Sequence, residues 1–324
     1  MIEAAQPESA QPGSAQPESL PRPARPPLSV VVPTRDRPDL LDAALRALRA
    51  SLADTDELIV VESGSRDPEP VWEVARSHDA RLLVADAPGV SRARNLGWAQ
   101  ASHDAIGFVD DDIRVQPGWA DAMATALAAH PDAGFVSGRI KLPADQGTLA
   151  LTVMDWATPT EFTVRTRGML GHSANLGMHR RRLAEIGGFD EAMGPGSRWG
   201  AGEDPDLLDR CLATGAHGWY TPDAVAEHEH WRRGREYIRL QHQYGIGSGA
   251  RVAKLLRINR RRFLTVVIDD QWRWGVVTIV VELWKRDPIR AAGSVMRVLG
   301  MLRGFAGAIL VPVRDGHFRL SNSS

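Results

Sequence analysis

Short runs of branched apolar residues recur along the first part of this chain, each ending in a polar cluster and followed by a segment of helical period. They read "LSVVV" from Leu28, "ELIVVE" from Glu57, "RLLVAD" from Arg81 and "AIGFV" from Ala105. Apolar runs of about four to eight residues, bounded by turn residues, suit strands buried on both faces. The segment after the first run has Pro38 in its first turn and Leu41, Ala44, Leu45 and Leu48 on one face, with Asp36 placed to cap it. Strands alternating with helices at this spacing predict βαβ units. The fold class is therefore α/β, with a mostly parallel central sheet flanked by helices.

In such sheets ligands bind beyond the carboxyl ends of the strands. Those ends carry Pro33-Thr34-Arg35-Asp36, Glu62-Ser63-Gly64-Ser65 and Asp110-Asp111-Asp112, so several strands deliver polar groups to one rim. Three adjacent carboxylates repel one another unless a cation or a proton relieves them. They suit a hard divalent ion such as Mg²⁺ or Mn²⁺, or acid–base work. A metal held this way usually shares its shell with phosphate oxygens. Arg92 and Arg94, near the start of the preceding helix, can neutralise a diphosphate.

Two further clusters belong to the same chemistry. Glu203-Asp204 follows a loop containing Gly194, Gly196, Gly200 and Gly202, which lets the backbone approach or close over a substrate. Asp204 is placed either to cap a helix or to act as a general base. In "AEHEHW", His228 and His230 share one face of an extended segment while Glu229 points away; a neutral imidazole there can complete a metal shell.

The segments "VVVPTRDRPDLL", "VVESGSRD", "SRARNLGW", "FVDDDIRVQPGW", "ANLGMHRRRLAEIGGFDE", "GAGEDPDLLDR" and "AVAEH" resemble, in this order, the motifs of family 2 glycosyltransferases. The resemblance implies a GT-A fold with a Rossmann-like nucleotide-binding half, and inverting transfer from a nucleotide-diphosphate sugar (UDP- or dTDP-linked) to an acceptor hydroxyl. It assigns Pro33, Thr34, Arg35 and Glu62 to the nucleoside pocket and Arg94 to the diphosphate. Asp110 to Asp112 look like the family's D-x-D element, with Asp112 as direct metal ligand, Asp110 and Asp111 nearer the nucleotide sugar, and His228 as the distal ligand. Asp204 looks like the catalytic base, with Glu203 placing the acceptor: a glycan, a lipid-linked molecule or a small molecule. Two other readings use part of this set. A nucleotidyltransferase would want a glycine-rich phosphate loop after the first strand, and "PTRDRPD" lacks the glycines. A non-catalytic nucleotide-sugar-binding protein would have no use for Asp204.

The ends of the chain differ from this middle. Residues 1–27 repeat AQP-x-S and then turn proline-rich, a composition that cannot bury a core, so a disordered leader is expected before a catalytic domain at 28–231. No secretion signal is apparent, and a lone cysteine, Cys211, suits a reducing compartment, so a cytoplasmic location is expected. The formal net charge of −1 hides an asymmetry: residues 232–324 hold 18 Lys and Arg against 6 Asp and Glu. This basic, apolar region is expected to be helical. Its candidate partners are an anionic surface, such as the inner face of the cell membrane, or a second copy; a helical subdomain covering the catalytic domain is the plainer alternative. Nothing suggests a nucleic-acid partner.

Overall fold

A computed structural model describes residues 25–141, 153–229, 235–267 and 277–320. Most of the expected leader, residues 142–152 of an irregular stretch, His230 and the tryptophans at 272 and 274 lie outside the described residues. Arg25, near the end of the expected leader, reaches Asp56 and Asp121, each at 2.6 Å.

The apolar runs become strands. β1 (Leu28–Thr34) is buried along its whole length, and α1 (Pro38–Ser51) buries the expected leucine face. Asp36 does not cap that helix. It adopts a left-handed φ of 57°, and its carboxylate accepts from the Arg66 N–H at 2.8 Å, which ties two rim loops together. β2 (Glu57–Glu62), α2 (Glu69–Ser77), β3 (Arg81–Val84), α3 (Val90–Gln100) and β4 (Ala105–Val109) complete a parallel set ordered β3-β2-β1-β4. Thr34 pairs with Glu62 and Glu62 with Val84, so these strands end level with one another.

Beyond β4 come β5 (Ile113–Val115), α4 (Trp119–Ala129), β6 (Phe135–Lys141), β7 (Thr160–Phe162), β8 (Asn175–His179), α5 (Arg180–Ile186), α6 (Glu203–Ala213) and β9 (Gly218–His228). The sheet continues β8-β6-β9-β5, with β7 on the far side of β9. Pairing here is mixed, because β8 runs antiparallel to β4 and β6, and β5 and β7 run antiparallel to β9. Asn175 fixes the junction. Its amide donates to the carbonyls of Arg139 (3.0 Å) and Ala224 (2.9 Å), while its oxygen accepts from the Trp119 indole (2.8 Å). Two apolar layers cover the sheet, one under α1, α2 and α4 and the other under α3, α5 and α6. Cys211 sits in the second, where burial pushes its thiol up to about 12 and leaves it inert at neutral pH.

The basic region folds as α7 (Arg235–Ile258), α8 (Arg260–Val266), α9 (Thr278–Trp284), α10 (Pro288–Ala308) and a short hairpin of β10 (Val313–Arg314) and β11 (His317–Phe318). The backbones of α7 and α10 touch: a Cβ on Gly245 would stand 2.1 Å from the Arg297 carbonyl oxygen, and one on Gly304 would stand 2.0 Å from that of Ile246. Among the described residues, no helix is long and apolar enough to cross a membrane.

These helices join the sheet and its covering helices through buried ion pairs that centre on α6. Lys254 of α7 contacts both Asp190 and Asp206, the latter at 2.7 Å, and Arg210 also reaches Asp206 at 3.0 Å. Asp209, one turn along α6, accepts from Arg251 (2.7 Å) and from Arg262 of α8 (2.6 Å). Burial opposes ionisation of Asp206, but the Lys254 and Arg210 charges outweigh it and hold the carboxyl below its usual range. Removing one partner from such a pair leaves the other charge buried and uncompensated. Lys254→Met should therefore lower unfolding stability by about 3–5 kcal/mol in chemical denaturation, and adding Asp206→Asn should recover part of it. A loss within the ordinary range for an exposed pair, about 0–1 kcal/mol, would mean that the network does not hold the two parts together.

Candidate active site

A cleft of about 1280 Å³ opens at the carboxyl rim, bounded by the strand-end loops, the glycine-rich loop, the start of α6 and the faces of α7 and α10. Pro33, Thr34, Arg35, Arg94, Asp110, Asp111, Asp112, Glu203, Asp204 and His228 all line it. Of the expected site residues, Arg92 does not line it and neither does the buried Glu62. Its carboxylate accepts from the Ser65 backbone N–H and shapes the loop, and the neighbouring Ser63 faces the cleft instead.

The three aspartates occupy the turn between β4 and β5, just past the strand end, and each faces a different partner. Asp110 accepts from Arg94 at 2.6 Å. Asp111 accepts from the Thr34 hydroxyl at 2.8 Å and from Arg37 at 3.0 Å. Asp112 lies 3.6 Å from Arg37 and 3.7 Å from His228 Nε2. Sheet register places His228 there: Ile113 pairs with His228, and the Glu229 N–H donates to the Asp112 carbonyl at 3.0 Å. Burial pushes Asp111 up to about 7, with the charges of Asp112 and Asp110 adding to it and Arg37 opposing. Arg37 thus supplies positive charge to Asp111 and Asp112, a part sequence reasoning did not give it. The only signal was its position beside the first strand end in "RDRPD".

Arg94 lies buried at the floor. Its guanidinium bonds Asp110, stands 3.5 Å from Glu203 and 3.8 Å from Asp204, and stacks on the Phe189 ring at 5.3 Å. Its Nε and Nη1 make no hydrogen bond. Despite the cost of burial, the three carboxylates around it hold the charge firmly in place. Arg92, by contrast, turns outward to Asp86 (3.0 Å) and Glu191 (2.9 Å).

Glu203 and Asp204 open α6, where the helix dipole favours an anion. Gly202 precedes them with a φ of 88° and presses on α7, since a Cβ there would lie 2.9 Å from the Gly247 carbonyl oxygen. The two acids separate electrostatically. Burial, reinforced by the Asp204 charge, pushes Glu203 up to about 8. Burial opposes ionisation of Asp204 too, but His172, Arg94 and Ser173 outweigh it and hold it below its ordinary value. The Ser173 hydroxyl donates to Asp204 Oδ1, and His172 Nδ1 stands 3.7 Å from Oδ2. Sequence reasoning gave His172 and Ser173 no role; they reach Asp204 only because the segment before β8 crosses the start of α6. Neighbouring titratable groups whose environments push them apart form an acid and base pair.

Asp112 and His228 are the side chains that suit a divalent cation by chemistry and placement. Among the described residues no group of three or more His, Cys, Asp or Glu converges as a protein-only metal shell. This donor set fits a cation whose remaining positions are filled by water and by a diphosphate.

Residues 29–186 match the sequence profile described as Glycosyl transferase family 2. The pre-mycofactocin glycosyltransferase of Mycobacterium tuberculosis is 28% identical over 246 residues, which cover 72% of this chain and 50% of that protein. The chain thus spans about half the length of that relative. The O-antigen biosynthesis protein RfbC of Myxococcus xanthus is 31% identical over 189 residues, 51% of this chain and 15% of its own. Among solved structures, the mannosyltransferase PcManGT of Pyrobaculum calidifontis, in complex with GDP-Man and Mn²⁺, superposes with a TM-score of 0.60 at 18% identity and covers 91% of this chain and 90% of its own. Residues 1–349 of S. aureus TarS, in complex with UDP, give a TM-score of 0.52 at 14% identity, covering 92% and 97%. Fold and motifs agree with the profile, and residues 29–186 of the chain belong to the family 2 glycosyltransferases.

Proposed function

We propose that this protein transfers a sugar, with inversion, from a nucleotide-diphosphate sugar to an acceptor hydroxyl, with Asp204 as general base. The observation that carries the reading is the buried Arg94, which bonds Asp110 on the donor side and stands within 4 Å of Glu203 and Asp204. One cleft thereby holds a carboxylate cluster suited to a cation and diphosphate next to an ionised base. GDP-Man with Mn²⁺ and UDP, bound by the two structural neighbours, support a nucleotide-sugar donor and a divalent ion. The donor base and sugar assigned here, UDP- or dTDP-linked, rest on the family resemblance.

In this reading Pro33, Thr34, Arg35 and Ser63 line the nucleoside end of the cleft, with Glu62 holding the loop from behind. Asp112 and His228 would hold Mg²⁺ or Mn²⁺, which when bound neutralises the diphosphate and favours its departure. Arg94 adds a fixed positive charge on the same floor. Asp204, ionised at neutral pH, takes the acceptor hydroxyl proton while the acceptor oxygen bonds to the anomeric carbon. The carbon–diphosphate bond breaks on the opposite face and its electron pair leaves with the nucleotide. Glu203, protonated at neutral pH, donates a hydrogen bond that orients the acceptor.

A panel of UDP-, dTDP- and GDP-sugars with Mg²⁺ or Mn²⁺, followed by nucleotide-diphosphate release, tests the assignment. Release should stop on chelation and return with either ion. Silence from every donor, together with no metal-dependent nucleotide binding, would reject the reading. Asp204→Asn should lower turnover by about 10²–10⁴-fold while donor affinity stays within about twofold; an equal loss of donor affinity would move Asp204 out of the base role. The pH response follows from the raised Glu203. It is protonated below about 8 and ionises above, which sets a second negative charge beside Asp204, so activity should fall as pH rises through that value. Glu203→Gln mimics the protonated form and should remain active while losing the alkaline decline; an unchanged decline would assign it to another group.

A further inference from the structure

Exposed apolar side chains are not spread evenly over this molecule. Among the described residues, 15 large hydrophobic side chains are exposed, and 13 of them lie between Ile258 and Leu320. Scattered surface leucines need no explanation, but a concentration of this kind does.

α9 is inverted. Val280, Leu283 and Trp284 are 65%, 62% and 84% exposed, whereas its one acid, Glu282, is buried at 7%. α10 has two faces of opposite character. Gly300, Gly304 and Ala308 face inward, while Val295, Leu299 and Leu302, spaced by four and three residues, form one outward stripe. Leu264 of α8 and Leu310 after α10 are exposed as well, at 59% and 86%. Charges in this region are predominantly positive: from Arg257 to Arg319 the exposed charged side chains among the described residues are Arg257, Arg260, Arg261, Lys285, Arg286, Arg303, Arg314 and Arg319, against Asp315 alone. Asp287, the remaining described acid, is half-buried and caps α10 through the Arg290 N–H at 3.0 Å.

We infer that α8, α9 and the outer face of α10 form a docking surface for an anionic lipid bilayer. Apolar side chains and Trp284 enter the boundary between headgroups and acyl chains, and the arginines and lysine stay at headgroup level. Charge selects this occupant over a second copy, because a two-fold interface through this face would set cations against cations. The first 24 residues offer only Met1, Ile2 and Leu20 as large aliphatic side chains, too few to cover the face. This inference concerns where the protein sits and does not depend on the proposed reaction.

Flotation of the full chain tests it, using phosphatidylcholine vesicles with and without phosphatidylglycerol as the minor component, at low and high salt. The protein should float with the anionic vesicles at low salt, and salt should release it. Leu283→Ser/Trp284→Ser and Lys285→Glu/Arg286→Glu change exposed side chains, and each pair should lower the bound fraction by about tenfold or more. Circular dichroism and nucleotide-diphosphate affinity of the same variants, without vesicles, should match the parent and show that the fold is intact. Failure of the parent to float with anionic vesicles at low salt overturns the inference, as does undiminished flotation of the apolar double variant. A stable dimer in light scattering that Leu283→Ser/Trp284→Ser dissociates, with no flotation of the parent, assigns the face to a second copy instead. Loss of flotation with retained nucleotide affinity rejects this surface alone, and loss of nucleotide affinity with retained flotation rejects the proposed function alone.

Discussion

Two buried aspartates one turn apart on α6 hold this architecture together. Asp206 and Asp209 have almost no access to water, and each depends on cations from the C-terminal helices: Lys254 for the first, Arg251 and Arg262 for the second. Buried charges of this kind are costly unless fully paired. The pairing therefore fixes where α7 and α8 lie against α6, and the start of α6 carries Glu203 and Asp204. A region that diverges from the catalytic motifs in composition thus governs where the candidate base stands. The close approach of Gly202 and Gly247 adds a second constraint at the same place, because a Cβ on Gly247 would stand 2.3 Å from the Ala201 carbonyl oxygen, so neither position has room for a side chain.

Arg94 plays the matching part inside the cleft. Three acidic side chains from two distant segments surround one guanidinium, which keeps its proton across the physiological pH range. Around it, Glu203 is pushed toward its neutral form and Asp204 toward its ionised form. Adjacent acids would ordinarily titrate alike. Their division here comes from position: Asp204 meets Ser173 and His172, while Glu203 meets mainly desolvation.

Much of this was legible in the sequence because parallel sheets write themselves locally. Val30 to Val32, Ile59 to Val61 and Ile106 to Val109 are apolar runs with polar ends, and their carboxyl ends do converge. The pairing of Asp112 with His228, over one hundred residues apart, followed from the motif resemblance and agrees with the antiparallel register of β5 on β9. Less legible were contacts between segments with no periodic signal. Arg37, His172 and Ser173 are single polar residues in turns, and nothing about their neighbours announces a partner. Asp36 misled for a related reason: a residue suited to capping turned its carboxylate to a loop that the sequence does not show to be nearby.

The sequence by itself determined the α/β class, the rim of polar strand ends, the carboxylate clusters and the basic, apolar character of the C-terminal region. Each depends on residue type and short spacing, which hydrophobic periodicity and charge express locally. Only the tertiary structure decided that Asp112 and His228 lie side by side, that Glu203 and Asp204 are pushed in opposite directions, that the buried Glu62 does not line the cleft, and that the C-terminal helices brace α6 on one side while leaving an apolar face open on the other. Those outcomes depend on desolvation and on distances between segments far apart in the chain. Both arise only once the backbone has been brought together.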